Sequence, residues 1–144
     1  MPIRRRSRPT DLPPSATTLR QPASTRHRRI LAIDDDAGLL DMLQLLLGQS
    51  HMELRTAHGG QAGFELATTW QPDVILLDLS MPDLDGEAFL KRYREAATSP
   101  ASVILLTGAH DGRVRAAELG VTRYMAKPFD LAALFDIVDT CPIR

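Results

Sequence analysis

Short apolar runs that end at polar or turn-forming residues recur along the chain from Arg29 onward. Three of them are nearly continuous, which is typical of strands buried on both faces of a parallel sheet. Another alternates between apolar and polar positions. The predicted strands are Ile30–Ile33, Met52–Ala57, Val74–Leu77, Ser102–Leu106 and Val121–Ala126.

A segment with apolar residues at helical spacing follows each predicted strand. The predicted helices cover residues 37–48, 61–69, 87–97, 111–119 and 131–140, the last with Asp130 as its N-cap. This regular alternation, with short connections, predicts an α/β domain that has a parallel sheet and helices on both faces. Right-handed crossovers and a doubly wound arrangement give the strand order 2-1-3-4-5, with the ligand-binding crevice between strands 1 and 3.

The first predicted helix is rich in leucine. On a helical wheel, the residues that share one broad face are Leu39, Met42, Leu43, Leu46 and Leu47. Leu40 lies at the margin of this face and Leu45 falls outside it, so both are expected either to pack loosely or to belong to a docking face for a partner. In the second helix, Gly63 is expected to cost up to ~1 kcal/mol of stability relative to alanine.

Polar side chains stand where four of the five predicted strands end. Asp34 and Asp35 follow strand 1, and Asp78 ends strand 3. Thr107 ends strand 4, and Lys127 follows strand 5. Because the carboxyl ends of parallel strands share one edge of the sheet, these residues are expected to converge there, with the acidic pair facing Asp78 across the crevice.

Such a set of residues predicts a particular chemistry. Clustered carboxylates repel one another and raise one another's pKa values unless a cation neutralises them. Mg²⁺ suits the site because it prefers oxygen ligands and is held by one or two carboxylates together with a phosphate. A carboxylate nucleophile, a metal ion, a lysine and a hydroxyl are together the components of phosphoryl transfer to an aspartate.

Four segments in order resemble the response-regulator receiver domains of bacterial two-component signalling, and the resemblance covers residues 29–140. The segments are Ile-Leu-Ala-Ile-Asp-Asp-Asp at 30–36, Leu-Leu-Asp-Leu-Ser-Met-Pro-Asp-Leu-Asp-Gly at 76–86, Leu-Leu-Thr-Gly at 105–108 and Tyr-Met-Ala-Lys-Pro-Phe at 124–129. The four residues Asp34, Asp78, Thr107 and Lys127 are separated by 44, 29 and 20 positions. The resemblance implies the flavodoxin-like doubly wound (βα)5 fold of the stand-alone, CheY-like type.

The resemblance also implies roles for the acidic residues. Asp78 resembles the phosphoacceptor and a ligand of the metal. Asp35 resembles a direct Mg²⁺ ligand, and Asp34 resembles a metal-site acid that commonly acts through water. The backbone carbonyl of Ser80 resembles the third protein ligand.

Further roles are implied for the residues of strands 4 and 5. Thr107 resembles the hydroxyl that moves towards the phosphoryl group, and Tyr124 the aromatic side chain whose rotamer follows it. Lys127 resembles the lysine that binds a phosphoryl oxygen, and its bond to Pro128 is implied to be cis. The implied function is a response regulator that is phosphorylated by a histidine kinase or histidine phosphotransfer protein and signals to a protein partner or along a phosphorelay. Such a protein takes part in its own phosphorylation and dephosphorylation and turns over no separate substrate.

Charge divides the chain into two unequal parts. Residues 1–28 contain seven arginines, one acid and five prolines, whereas residues 29–144 carry a net charge of −7. The first part has too little apolar surface to offset its ordering entropy, so it is predicted to be a disordered basic tail. It is either merely solvated or an arm for nucleic acid, an acidic partner or anionic lipid. Residues 29–140 form the predicted receiver domain, and residues 141–144 its C-terminal end.

Several classes of protein are disfavoured. The single cysteine, Cys141, has no partner for an internal disulfide, and no apolar run approaches the roughly 20 residues of a membrane span, so a cytoplasmic location is expected. The chain ends 17 residues after Lys127, so no output domain is expected there. Phosphohydrolases of the haloacid-dehalogenase type place a second aspartate two residues after the nucleophile, and here that position is Ser80.

Overall fold

The computed structural model describes residues 27–108 and 112–142, and in these ranges five strands alternate with five helices. The strands are β1 (Arg28–Ile33), β2 (Met52–Ala57), β3 (Val74–Asp78), β4 (Ser102–Thr107) and β5 (Arg123–Ala126). The helices are α1 (Ala37–Leu47), α2 (Gly60–Trp70), α3 (Gly86–Ala96), α4 (Gly112–Glu118) and α5 (Leu131–Thr140). Every predicted element is present, with boundaries within two residues of the predicted ones. The predicted basic tail lies outside the described residues except for its last two.

All five strands pair in parallel in the order β2-β1-β3-β4-β5, which confirms the predicted doubly wound α/β fold. The central strands β1 and β3 run side by side, and Ile33 at the end of β1 lies opposite Leu77. Asp78 lies opposite Leu106, one residue before the end of β4. The register therefore brings the ends of β1, β3 and β4 to the same level at one edge of the sheet.

The alternating side chains of the sheet build two core layers. One layer joins Leu31, Ile33, Ile75 and Leu77 to buried residues of α2, α3 and α4. The other joins Ile30, Ala32, Val74 and Leu76 to buried residues of α1 and α5. Both central strands are therefore buried on both faces, as their continuous apolar runs predicted. Among the described residues, no helix is long and apolar enough to cross a membrane.

The buried face of α1 differs from the predicted one. Leu40, Leu43 and Leu47 are at most 2% exposed, whereas Met42, Leu46 and Leu45 are 38%, 42% and 64% exposed. The prediction was therefore wrong for Leu40, a core residue, and for Met42 and Leu46, which lie on the solvent side. The buried residues of α1 have the spacing i, i+3 and i+7, and the helical wheel could not identify this stripe because other faces of α1 also carry leucines.

Gly63 brings α2 close to the end of β1. A Cβ atom at this position would lie 2.6 Å from the Cδ1 atom of Ile33, closer than side-chain carbons pack. The glycine therefore has a packing role that the expected loss of helix propensity did not reveal. Ile33 directly precedes Asp34, so this contact fixes α2 against the strand end that carries the first candidate site residue.

The two ends of the described chain lie at the opposite edge of the sheet, where the strands begin. The Arg28 guanidinium donates a hydrogen bond to the carbonyl oxygen of Cys141 at 2.6 Å. The Ser102 hydroxyl donates to the carbonyl oxygen of Pro142, also at 2.6 Å. Cys141 is buried and forms no disulfide. The residues that follow α5 are thus attached to the first residues of β1 and β4.

Candidate functional site

The carboxyl edge of the sheet collects the predicted site residues. Asp34 and Lys127 each continue the strand pairing by one residue, because their backbone N–H groups donate to the carbonyl oxygens of Ala57 at 3.2 Å and Thr107 at 2.7 Å. Asp78 is the last residue of β3. The backbone of the sheet therefore positions the side chains of Asp34, Asp78 and Lys127 at one edge.

Asp34, Asp35 and Asp78 form an acidic cluster. Each contributes a carboxylate oxygen, and these oxygens lie within 4.8 Å of one another. Asp34 and Asp78 are 1% and 5% exposed, whereas Asp35 is open to solvent. The cluster offers only oxygen ligands and remains open on one side, which fits Mg²⁺ because this ion retains several of its waters. The backbone N–H of Asp36 donates to Asp34 Oδ1 at 3.0 Å and orients that carboxylate.

Lys127 connects the two buried carboxylates. Its Nζ atom lies 2.8 Å from Asp34 Oδ2 and 3.3 Å from Asp78 Oδ1. Burial by itself would lower the pKa of Lys127, but the hydrogen bonds and negative charges of the two aspartates outweigh it and raise this pKa above its usual value. Lys127 therefore stays protonated and is the cation of the site.

The carboxyl of Asp78 has a raised pKa. Burial is the largest cause, and the negative charge of Asp34 is the second. The Lys127 ammonium and the backbone N–H of Ser80 stabilise the charged form and oppose the shift only in part. The site thus has an excess of negative charge, which a divalent cation would neutralise.

The remaining predicted residues lie on β4 and β5 and in the loops that follow β3 and β5. Thr107 is buried, and Tyr124 in β5 is 37% exposed. A Cβ atom on Gly112 would lie 2.8 Å from Thr107 Cγ2 and 3.0 Å from Tyr124 Cδ2, so both side chains pack against the start of α4. Ser80 lies in the loop after β3 beside the Asp78 carboxylate. The Lys127–Pro128 peptide bond is cis, as the resemblance implied.

One residue of this loop was missed by the sequence analysis. The Asp83 carboxylate accepts hydrogen bonds from the backbone N–H groups of Gly60 and Gln61, at 3.2 Å each. A signal for it existed, because the segment before α2 offers glycines where a helix normally has Ser, Thr, Asp or Asn as its cap. Asp83 therefore joins the loop after Asp78 to the start of α2.

An open depression of about 180 Å³ adjoins the acidic cluster. Its lining consists of Asp36, Leu39, Met42, Lys127, Pro128 and Phe129. A larger cavity of about 260 Å³ lies at the opposite edge, beside Ser102 and Thr122, and no acidic residue lines it. The smaller depression therefore lies beside Lys127, the residue that contacts Asp34 and Asp78.

Comparison with known proteins places this site in context. A family model described as the response regulator receiver domain matches residues 30–139. The transcriptional regulatory protein PrrA of Mycobacterium leprae is 37% identical over 107 residues, which cover 74% of this chain and 46% of that protein. The DNA-binding dual master transcriptional regulator RpaA of Synechocystis sp. is 35% identical over 106 residues, which cover 72% of this chain and 44% of that protein. The chain thus matches less than half the length of these curated relatives.

Solved structures agree with the strand order and layers described above. The receiver domain of the Francisella response regulator 1452 has a TM-score of 0.69 at 26% identity and covers 78% of this chain and 94% of its own. A CheY-like receiver domain protein from Methanospirillum hungatei JF-1 has a TM-score of 0.71 at 23% identity, and the match covers 79% of this chain and 92% of that protein's chain. At these identities, the likeness is chiefly one of fold.

Proposed function

The chain belongs to the family of response-regulator receiver domains, and on this premise we propose that it accepts a phosphoryl group on Asp78 from a histidine kinase or a histidine phosphotransfer protein. The observation that carries the proposal is the pair of contacts from Lys127 Nζ to Asp34 and Asp78, within a cluster of oxygen ligands. A buried carboxylate with an adjacent ammonium and room for a metal ion has what phosphoryl transfer to an aspartate requires.

In the proposed reaction, a carboxylate oxygen of Asp78 attacks the phosphorus atom of the donor's phosphohistidine. The new O–P bond forms as the P–N bond breaks, and its electron pair stays on the imidazole nitrogen, which takes up a proton from solvent. Lys127 favours the ionised carboxylate that attacks, and its contact with Asp78 places the ammonium where it binds a phosphoryl oxygen of the product.

Asp34, Asp35, Asp78 and the backbone carbonyl of Ser80 are the proposed holders of Mg²⁺. When bound, the ion neutralises charge on the carboxylates and on the phosphoryl oxygens. The chain's own contribution is orientation. The N–H of Asp36 holds the Asp34 carboxylate, and the N–H of Ser80 holds the Asp78 carboxylate.

Phosphorylation is proposed to act through the residues that meet at the start of α4. A phosphoryl group adds about −1.5 to −2 charge and strong acceptor oxygens. The Thr107 hydroxyl and the Lys127 ammonium are the donors proposed to respond, and Tyr124 follows because it shares the contact with Gly112. The result is a two-state surface built from β4, β5 and their helices.

The solvent side of α1 is the proposed docking surface for the phosphodonor. Met42, Leu45 and Leu46 expose apolar side chains on a helix that begins beside the acidic cluster. Leu40 is buried and does not belong to this surface. Of the two leucines that the sequence offered for a docking face, only Leu45 is exposed. The depression lined by Leu39, Met42 and Phe129 continues the apolar surface as far as Lys127.

The proposed output is a protein contact or a phosphorelay. PrrA and RpaA are named as transcriptional regulators, but this chain matches less than half of each, so their outputs are not carried over. Contact with nucleic acid is proposed only through the basic residues 1–28, of which residues 1–26 lie outside the described structure. Turnover of a separate substrate is not proposed, because Ser80 stands where aspartate-nucleophile phosphohydrolases have their second aspartate.

Intact-protein mass spectrometry tests the proposal directly. After incubation with Mg²⁺ and a small phosphodonor such as acetyl phosphate, the wild type should gain the mass of one phosphoryl group, and hydroxylamine should remove it. Asp78→Asn should gain none. Asp85→Asn is the matched control, because Asp85 is an exposed aspartate of the same loop, and it should be phosphorylated like the wild type. An unmodified wild type, or an adduct that persists in Asp78→Asn, would overturn the assignment.

A further inference from the structure

The Asp83 carboxylate joins the loop that follows the acceptor aspartate to helix α2 by hydrogen bonds. Asp83 lies five residues after Asp78, is exposed, and accepts the two backbone hydrogen bonds from the start of α2. Hydrogen bonds from the backbone of Gln61, Leu84 and Gly60 hold the pKa of the Asp83 carboxyl below its usual value. The carboxylate is therefore ionised and bonded rather than merely solvated.

Helix α2 lacks a capping side chain of its own. Its N-cap is Gly59, which makes no side-chain hydrogen bond, and its first turn contains no acidic residue. The first N–H groups of a helix have no acceptor inside the helix, and a negative charge there also interacts favourably with the helix dipole. Asp83 supplies both the acceptor and the charge, although it lies 23 positions from Gly60.

At Gly59 and Gly60 the start of α2 lies so close to the loop that there is little or no room for a Cβ atom. Gly59 has a φ of +132°, and a Cβ there would lie 3.0 Å from both carboxylate oxygens of Asp83. A Cβ on Gly60 would overlap the carbonyl oxygen of Leu84. The two glycines thus let the loop pack directly on the start of α2. The contact depends on residues of both segments, the glycines before α2 and Asp83 in the loop.

The first turns of α2 therefore contact both the end of β1, next to Asp34, and the loop that follows Asp78. Gly63 packs on Ile33, the residue before Asp34, and Asp83 connects α2 to the loop after Asp78. Within that loop, the Ser80 N–H donates to the Asp78 carboxylate, and the Met81 side chain is buried in the core. Asp83 lies three positions after Ser80 in the chain, and Met81 between them is fixed by burial.

We propose that Asp83 is a positioning residue of the acceptor site. By capping α2 from the loop, it fixes Ser80 relative to the Asp34 and Asp78 carboxylates and thereby sets the affinity of the site for Mg²⁺. This inference rests on the proposed function for the assignment of Ser80 as a metal ligand. Loss of the Asp83 carboxylate should raise the Mg²⁺ dissociation constant about 10-fold, the low end of the effect of residues that orient metal ligands.

The closing experiment compares Asp83→Ala with Asp85→Ala. Both variants remove an exposed carboxylate that caps a helix, but Asp85 caps its own helix α3, through the Ala88 N–H at 2.8 Å. Mg²⁺ affinity is measured by isothermal titration calorimetry, and amide hydrogen exchange is measured by NMR on the metal-free protein. Only Asp83→Ala should weaken Mg²⁺ binding about 10-fold and speed exchange at Ser80. Asp83→Asn, which keeps one acceptor oxygen, should recover part of the affinity.

The outcomes separate the two proposals. If the two alanine variants bind Mg²⁺ equally well, or if exchange at Ser80 in Asp83→Ala matches the wild type, the positioning role of Asp83 is overturned and the proposed function stands. A wild-type protein that binds no Mg²⁺ overturns the proposed metal site and this inference together.

Discussion

Replacing Asp78 with asparagine should stabilise the metal-free protein at neutral pH. Asp78 and Asp34 are both buried, and Lys127 is the ammonium that contacts them both. Two carboxylates therefore share one cation in a region with little water. Asparagine has nearly the same shape as aspartate, so the substitution removes the charge and leaves the packing in place.

The expected increase in the free energy of unfolding follows from three competing effects. At an effective dielectric constant of about 20, two carboxylates whose oxygens lie no more than 4.8 Å apart repel by at least about 3.5 kcal/mol. An ammonium at 3.3 Å attracts Asp78 by about 5 kcal/mol. The charges alone thus favour ionised Asp78 by at most about 1.5 kcal/mol, whereas burying an ion costs several kcal/mol. Asp78→Asn should therefore raise the free energy of unfolding by about 1–3 kcal/mol and the melting temperature by roughly 4–12 °C.

The stabilisation by Asp78→Asn should also depend on pH, and it should become smaller as the pH falls. The pKa of Asp78 is raised in the folded protein, so the fold binds this proton more tightly than the unfolded chain does, where the value is 3.8. The destabilisation by Asp78 is complete above the folded pKa and is lost progressively as the pH falls from that pKa to below the unfolded value of 3.8. Urea unfolding in EDTA, followed by circular dichroism, should show the gain at about pH 7 and a smaller gain near about pH 4.

Asp35→Asn is the matched control for this experiment. It removes the same charge from the same cluster, but Asp35 is exposed, so its effect on the free energy of unfolding should stay within about 0.5 kcal/mol. The electrostatic reasoning fails if Asp78→Asn gives no gain at neutral pH. It also fails if Asp35→Asn gives an equal gain, or if the gain does not change with pH.

Four further substitutions test other parts of the structure. Leu40→Ala should lower the free energy of unfolding by about 2–5 kcal/mol, and Leu45→Ala by less than about 0.5 kcal/mol; equal urea midpoints would contradict the observed face of α1. Gly63→Ala should destabilise the protein by about 1–3 kcal/mol despite alanine's higher helix propensity, because its Cβ would overlap Ile33; a stabilised variant in the same urea assay would contradict this packing. Lys127→Met should raise the pKa of Asp78 further, since it removes the ammonium that contacts that carboxylate; NMR titration of the Asp78 carboxyl carbon in EDTA measures this, and an unchanged or lower pKa would count against it.

The fold and the location of the candidate site were predictable because the sequence shows where each strand lies and where it ends. A continuous apolar run such as Val74–Leu77 has to be buried on both faces, and a polar residue directly after it marks where the strand leaves the core. Parallel pairing then brings such residues to one edge. This reasoning located Asp34, Asp78, Thr107 and Lys127 without any knowledge of side-chain contacts.

The parts that could not be predicted depend on how elements lie on one another. In α1, apolar residues occur nearly all the way round, so the buried stripe is decided by the surface of the sheet and not by the wheel. The role of Gly63 depends on the distance between α2 and Ile33, which local propensity does not contain. The contact of Asp83 joins distant segments, and only the uncapped start of α2 indicated that an acceptor had to come from elsewhere.

The hydrogen bonds from Arg28 to Cys141 and from Ser102 to Pro142 have a consequence for how this domain can be connected to anything else. A fusion partner or fluorescent reporter joined before Arg28 or after Pro142 starts at the amino edge of the sheet. Asp78 closes the five-residue strand β3 at the other edge, roughly 16 Å away along the strand. Reporters at either end therefore leave the Asp78 carboxylate accessible, and under the proposed function a tethered module would sense phosphorylation through the body of the domain rather than by touching the phosphoryl group.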